Sequence, residues 1–321
     1  MSHVTKDQRY AIERMLSNGY KCKEISKLIG KDKSVISREI RRNCDKRSGK
    51  YNSELAQRKY ETRMKEKPKK VKFSKEVEKY VEDKLSLKWS PEQISNTLEN
   101  QGLERVSHER IYQHIIKNKK EGGELYKHLR RRKKYKKRSV VEDRRGKIKN
   151  AKNIKERPEI VNKKERVGDF EVDLVMGANH KGALITMNDR KTGLVKIRQV
   201  KSKDAEVVSK AIIKALKPYK PILKTITSDN GKEFSLHDVI SKELEIDFYF
   251  ADPYSSWQRG ANENLNGLIR QFFPKKTSFE VLTRVEVKKV ENLINQRPRK
   301  RLGYETPLKI FNRLTKVAFV V

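Results

Sequence analysis

Long apolar runs, a cysteine framework and any excess of acid are all missing from this 321-residue chain. The longest uninterrupted apolar stretch, Val317 to Val321, has five residues, against the roughly 20 that a membrane-spanning helix needs. The opening MSHVTKDQRY contains no apolar segment of the kind a secretory signal carries. Two cysteines, Cys22 and Cys44, do not make a disulfide framework, and with no CxxC pair the six scattered histidines outline no metal finger. Apolar residues are only 35% of the chain, little for one large globule but enough for one core plus small helical modules. These absences predict a soluble protein of a reducing compartment, cytoplasmic and nucleoid-associated, with no membrane partner.

Positive charge is what the chain has in surplus. Lys and Arg number 78 against 42 Asp and Glu, a net charge of +36, of which +24 falls in residues 1–160 and +12 in 161–321. That balance disfavours a neutral metabolic enzyme and points to a polyanionic partner. At roughly 100–200 residues per domain, the length predicts two or three domains.

Residues 5–43 alternate helical periodicity with stop signals. One amphipathic stretch ends at Asn18-Gly19, a short helix closes at Gly30, and a third starts near Asp32 as its cap. Ile25, Leu28, Ile29, Val35, Ile36 and Ile40 supply a small core. Helix, Gly-containing turn and helix make a helix-turn-helix pattern, with Ser34, Ser37, Arg38, Arg41 and Arg42 able to reach bases or phosphates. The plainer reading is a three-helix nub with a solvated basic face. A second helix-turn-helix-like module begins at Ser90-Pro91-Glu92-Gln93, a cap followed by Pro at the first helical position, and restarts at Ser107. His108 and His114, six apart, do not share a helix face and read as solvated or capping groups. From Lys127 to Arg138, nine of twelve residues are basic, including Arg130, Arg131, Arg132, Lys133 and Lys134. Such a block repels itself until a polyanion neutralises it, so it reads as a linker that also clamps DNA.

Strand patterns take over at residue 168. Strands are expected at 168–177, 183–188, 194–200, 223–228 and 247–251, with the turn Asp189–Gly193 joining the second and third. Helices are expected at about 202–216, with Val207 and Val208 on its apolar face, at 236–244, and after Ser256. Three strands followed by alternating helix and strand predict a mixed α/β sheet. Asp173 in the first strand, Asp229 after the fourth and Glu263 on the helix after the fifth would then meet at one edge of the sheet. Converging carboxylates need cations, and all-oxygen ligation suits Mg²⁺ or Mn²⁺. Two such ions about 3.5–4 Å apart serve phosphodiester displacement. Spacing alone is weak evidence, since Asp169, Glu171 and Asp173 share one strand face by period-two alternation. Glu233 reads as a surface group or a neighbour of the acids, Asp252 as a turn cap or a group near the metals, and Trp257 as a core anchor or a platform for DNA. Arg259, Asn262 and Asn266 read as DNA or supporting contacts, and Pro298–Arg301 as a solvated turn or a phosphate contact.

Six segments carry a resemblance: residues 5–43, Ser90–Ile94, Asp169–Leu174, Ser228–Phe234, Asp252–Asn264 and the tail Asn295–Pro307. In this order, over nearly the whole chain, they resemble bacterial insertion-sequence transposases of family thirty; the 252–264 run and the tail are the specific ones. The resemblance implies a multidomain protein with N-terminal all-α helix-turn-helix modules and an α/β ribonuclease-H-like catalytic domain. It implies a DDE triad of Asp173, Asp229 and Glu263 holding two Mg²⁺ (or Mn²⁺) ions. It selects Asp173 from the three acids of its strand. Where the family usually reads Trp-Glu-Gly-Asp-Leu, Phe170 and Val172 stand for Trp and Gly, a bulkier strand with the acid retained.

The expected domains are 1–45 and 46–118 for DNA binding, 119–160 as basic linker and 161–321 as catalytic core. The expected function is a transposase that binds terminal inverted repeats and carries out DNA strand cleavage and transfer into target DNA, at least as a dimer in the DNA complex. A binding protein or repressor without turnover is the competing class. A ribonuclease H acting on hybrids is disfavoured by the two DNA-binding modules.

Overall fold

The computed structural model describes residues 3–66, 73–130, 148–253 and 255–315, and the chain divides into two compact units, Met1–Val71 and Lys72–Val321.

The first unit holds α1 (Lys6–Ser17), α2 (Cys22–Ile29), α3 (Lys33–Asn43) and α4 (Ser53–Glu66). Thr5 and Gln8 form a capping box at α1, Gly30 takes the left-handed conformation (φ 67°) that ends α2, and Asp32 accepts from the Ser34 N–H at 2.7 Å to start α3. Ile12, Ile25, Ile36 and Ala56 are fully buried. Ala56 belongs to α4, so this unit runs past residue 45, the limit read from the sequence. Leu28 points outward, because it sits about 100° off the Cys22–Ile25–Ile29 stripe. The polar centre is Arg9, only 1% exposed, whose Nε donates to Glu39 at 2.7 Å and Nη1 to Gln57 at 2.7 Å, with the guanidinium over the Tyr60 ring.

The second unit starts with α5 (Lys75–Ser86), α6 (Pro91–Ser95) and α7 (His108–Lys120) around Val81, Leu85, Ile94, Leu98 and Ile111. The Ser90–Gln93 capping box forms as its sequence predicts. β1 (Lys152–Asn153) and α8 (Glu159–Lys163) lead into β2 (Asp169–Met176), β3 (Ala183–Asp189) and β4 (Val195–Val200). Then α9 (Ala205–Leu216), β5 (Thr225–Ser228), α10 (His237–Leu244) and β6 (Asp247–Phe250) alternate, followed by α11 (Gly260–Phe272), α12 (Arg284–Asn295) and α13 (Pro307–Thr315). The sheet order is β1-β6-β5-β2-β3-β4. Pairs β2–β3 and β3–β4 are antiparallel; β2–β5, β5–β6 and β6–β1 are parallel. Two-residue β1 has too short a pattern to be read from sequence.

Each sheet face has its own core. Phe170, Val172 and Ile226 meet Val208, Ile212 and Ile240 of α9 and α10; Val175, Leu184 and Ile197 meet Leu265, Ile269, Val290 and Ile294 of α11 and α12. Val207 lies outside the first core and is 39% exposed. Helix α12 also closes the free edge of β4: the Asn295 side chain exchanges two 2.8 Å bonds with the Val195 N–H and C=O, and buried Glu291 accepts the Ile197 N–H at 2.8 Å.

Removing one partner of a buried ion pair strands the other, at about 3–5 kcal/mol. Arg9→Ala is therefore expected to lower amide protection in α1 and α4 of the full chain by that much, read by hydrogen exchange, with the sheet amides unchanged.

Candidate active site

Strand register brings the acids together. β2 and β5 run parallel with Glu171 opposite Thr227. Two residues further along each chain come Asp173 and Asp229, on the same face by period two and on neighbouring strands about 4.8 Å apart. The odd-numbered face of β2 looks toward α11 and α12, because Val175 lies in that core while Phe170 and Val172 lie in the other.

Partners separate the three acids of that face. Asp169 is buried, bonded to Arg166 at 2.9 and 3.0 Å and to the Thr225 hydroxyl at 2.8 Å. Glu171 is buried in an ion pair with Arg190. Asp173 is met by α11: Asn266 Nδ2 donates to its Oδ2 at 2.6 Å. The Arg259 guanidinium, 11% exposed, lies between Asp173 Oδ1 (3.4 Å) and Asp229 Oδ2 (3.3 Å). Asp229 also accepts the Gly231 N–H at 3.1 Å. Burial pushes the Asp173 pKa up, with Arg259 opposing and Asp229 adding to the rise.

Glu263 is exposed in the first turn of α11, three residues before Asn266 and so on a neighbouring helical position. Its carboxylate does not close with the other two. Among the described residues, the acidic or histidine group whose ligand atoms all lie within 4.8 Å is Glu78, Glu82 and His114. There the imidazole faces a different carboxylate at each nitrogen, Glu82 at 3.0 Å and Glu78 at 3.6 Å, an ion-pairing arrangement between α5 and α7.

Two further groups join Asp173 and Asp229. Glu233, half-buried against Gly231, has its pKa raised by burial and then by Asp229, with Asp173 contributing. Asn262 and Asn266 each keep a buried Oδ1 with no hydrogen-bond donor. Oxygen donors with unmatched acceptor capacity fit a hard divalent cation such as Mg²⁺ or Mn²⁺. The ionic bridge made by Arg259 is the feature that sequence reasoning missed, because it needs the turn before α11 folded over β2.

Other candidates fall elsewhere. Asp252 joins Asn153 (2.7 Å) to Gln258 (3.0 Å) and fixes the loop before α11, with its pKa held down by those two hydrogen bonds. Asp189 is the hairpin turn residue expected, and it is buried, accepting from Thr192 N (2.7 Å), Thr192 Oγ1 (2.6 Å) and Gly168 N (2.8 Å). The tail at 297–301 meets α6: Gln93 accepts from Arg297 Nε at 2.9 Å, and Lys300 reaches Glu92 at 2.7 Å. In the first unit Ser34, Ser37, Arg38, Arg41 and Arg42 are all exposed on one face of α3, with Arg38 donating to Ser34 O and Oγ at 2.9 Å each. Arg130 bonds Asn264, while Arg131, Arg132, Lys133, Lys134 and the Trp257 side chain lie outside the described residues.

Three antiparallel strands followed by two parallel ones, helices on both faces and acids on the first strand and just past the fourth define a ribonuclease-H-like core. Residues 1–43 match a helix-turn-helix domain family. The transposase for insertion sequence element IS4351 of Bacteroides fragilis is 49% identical over 97% of this chain and 96% of its own length. Transposase InsI for insertion sequence element IS30C of Escherichia coli (strain K12) is 34% identical over 98% of this chain and 84% of its own. Among solved structures, the catalytic core domain of BIV integrase is 20% identical, covering 46% of this chain and 96% of that one with a TM-score of 0.38. The chain belongs to the IS30 family of insertion-sequence transposases.

A raised carboxyl pKa means the ionised form costs stability at neutral pH, and the cost fades as pH falls through the carboxylate range. Asp173→Asn is expected to stabilise the chelator-treated protein at neutral pH, because it removes the buried charge. The gain should vanish near about pH 4, the ordinary carboxylate range, as read by urea unfolding at the two pH values.

Proposed function

We propose that this transposase binds the terminal inverted repeats of its own element and carries out Mg²⁺-dependent strand cleavage and strand transfer at Asp173, Asp229 and Glu263. The observation that carries the reading is the Asp173–Arg259–Asp229 bridge on neighbouring parallel strands, with Glu263 on the helix whose Asn266 holds Asp173. Asp173 and Asp229 would supply carboxylate oxygens to the cations, with Glu263 completing the second position. Two Mg²⁺ (or Mn²⁺) ions supply the charge that stabilises attacking and leaving oxygens in a phosphodiester displacement.

The chain's own residues set up the rest. Asn266 fixes the orientation of the Asp173 carboxylate, and the amide ends of Asn262 and Asn266 leave acceptor oxygens inside the site. Arg259 neutralises the two aspartates and has a second role open to it: its buried Nε lacks a hydrogen-bond partner, so the same group can turn to a phosphate oxygen. Water attacks the scissile phosphorus, the P–O bond breaks, and one strand is left with a free 3′-hydroxyl. That hydroxyl then attacks a target phosphorus, forming a new P–O bond while the target's own P–O bond breaks and its 3′-oxygen leaves as a hydroxyl, so no protein nucleophile is required. Joining two ends in one event requires at least a dimer on the DNA.

In the first unit, the exposed face of α3 suits the major groove, and the Asp32 cap and Gly30 turn fix the angle at which α3 leaves α2. Arg38→Ala is expected to cost about 1–3 kcal/mol on the cognate end and less on random DNA; equal losses, read by fluorescence anisotropy, would make it a phosphate contact only.

Cleavage of supercoiled plasmid carrying the element's ends, with Mg²⁺, tests the whole reading. Wild type should cut at the ends, while Asp173→Asn and Glu263→Gln bind the same DNA and do not cut. A variant that still cuts moves the site elsewhere. Wild type that binds specifically without cutting would favour the repressor.

A further inference from the structure

Beside the acidic site, on the other flank of α11, lies a cavity of about 460 Å³. Its walls, all in the second unit, come from the start of α6 (Ser90, Gln93), the first turns of α11 (Gly260, Asn264), the 297–301 tail, the β3–β4 hairpin (Arg190, Gly193), Lys164 and Arg130. Seven Lys or Arg residues line it, and none of the described lining residues is acidic.

The cations are held mostly by neutral acceptors. Arg297 donates to Gln93 and Gln271, Arg299 to the Ile294 carbonyl at 3.0 Å, and Arg301 to the Lys191 carbonyl at 2.8 Å. Arg130 spans Asn264 Oδ1 and the Asn264 carbonyl. Among the described residues, Arg190 pairs with Glu171 and Lys300 with Glu92. Glycines make room for two of the guanidinia: a Cβ on Gly267 would lie 2.4 Å from Arg130 Nη2, and one on Gly193 would lie 2.6 Å from Arg301 Nη2. Burial lowers the pKa of Arg297, Arg299 and Lys164, and neighbouring cations lower them further. Like charges gathered this closely are costly until an anion joins them.

We infer that this cavity binds a backbone phosphate of the DNA whose scissile phosphate lies at the acidic site. The inference rests on the transposase reading, and continuity supports it. Glu263 and Asn264 are consecutive residues of α11, so the acidic and the cationic site flank the same turn of helix. A strand crossing that turn meets both. Because α6 forms part of the wall, the bound phosphate would also tie the second helical module to the catalytic core.

The test uses the full chain and a duplex carrying the element's end, in calcium so that binding is read without cleavage. Lys164→Gln and Arg301→Gln should each reduce the slope of log K against log salt by about 0.9, with unchanged thermal unfolding. Lys210→Gln, on α9, should leave the slope alone. A scan of single methylphosphonates should find one position that weakens wild type yet no longer weakens the double variant. Equal penalties in both proteins, or unchanged slopes, would overturn the inference. So would stabilisation by inorganic phosphate that the variants lose while their DNA slopes stay at wild-type values, since the cavity would then serve a free anion. Cleavage enters none of these readouts, so a wild type that binds without cutting would refute the catalytic reading and leave the cavity testable.

Discussion

A carboxylate buried on a strand costs several kcal/mol unless a cation or several donors compensate it, and β2 aligns three on one face. The structure around the site is organised by how each is met. Asp169 and Glu171 are tied to Arg166 and Arg190 inside the fold, where the pairs lock the start of β2 to β5 and to the β3–β4 turn. Asp173 instead faces Asp229 across a single guanidinium, supported by one amide from α11. Two of the acids are spent on architecture. The third faces a bridge that, on the proposed reading, a divalent cation would replace, because Arg259 also touches Asp229 and is centred on neither.

That arrangement demands a rigid frame, since a small shift of α11 would remove Asn266 and Arg259 together. The frame comes from the sheet face behind the helix. Leu265, Leu268 and Ile269 bury one stripe of α11 against Val175 and Leu184, leaving Glu263 and Asn266 on its rim. α12 holds the far edge by hydrogen bonds as well as apolar contact: Asn295 and Glu291 pair with the backbone of β4, the edge strand among the described residues. An edge strand closed by side chains cannot recruit another strand, and α12 is fixed at a set height against α11.

Much of this was legible in the sequence. The five main strands fall within a residue or two of their expected limits, because alternating Val, Ile and Phe bounded by Gly, Asp and Asn leaves few other solutions. The caps at Thr5, Asp32, Ser90 and Ser107 are local and were equally readable, apart from Thr5, which lies before the first stretch singled out. Period two places Asp169, Glu171 and Asp173 alike and only the family resemblance favours Asp173; the partners Arg166 and Arg190 of the other two, folded in from outside the strand, are not legible in one dimension. Leu28 and Val207 were misplaced for a simpler reason: each is apolar and adjacent to a buried position, yet about 100° off the stripe. Pro298–Arg301, open between solvent and phosphate in sequence, lies against α6, and no one-dimensional pattern records a contact over 200 residues away.

Net charge poses the last problem, and the geometry answers it. A phosphodiester approaching several carboxylates is repelled, yet residues 161–321 carry a net +12. Screening limits each charge to about 10 Å at 0.1 M salt, so surplus cations on the far side of the domain cannot offset the acids where the substrate arrives. Cations must stand near the acids, and the Arg-rich cavity shares the first turns of α11 with them. The two sites share one helix turn with opposite signs. On the proposed reading, the cationic flank draws the DNA strand in, while the acidic flank rejects its phosphate until divalent ions reverse the local sign. On that reading, separating attraction from chemistry would let DNA bind before the metal does, with the positive and the negative flank of α11 as its physical origin.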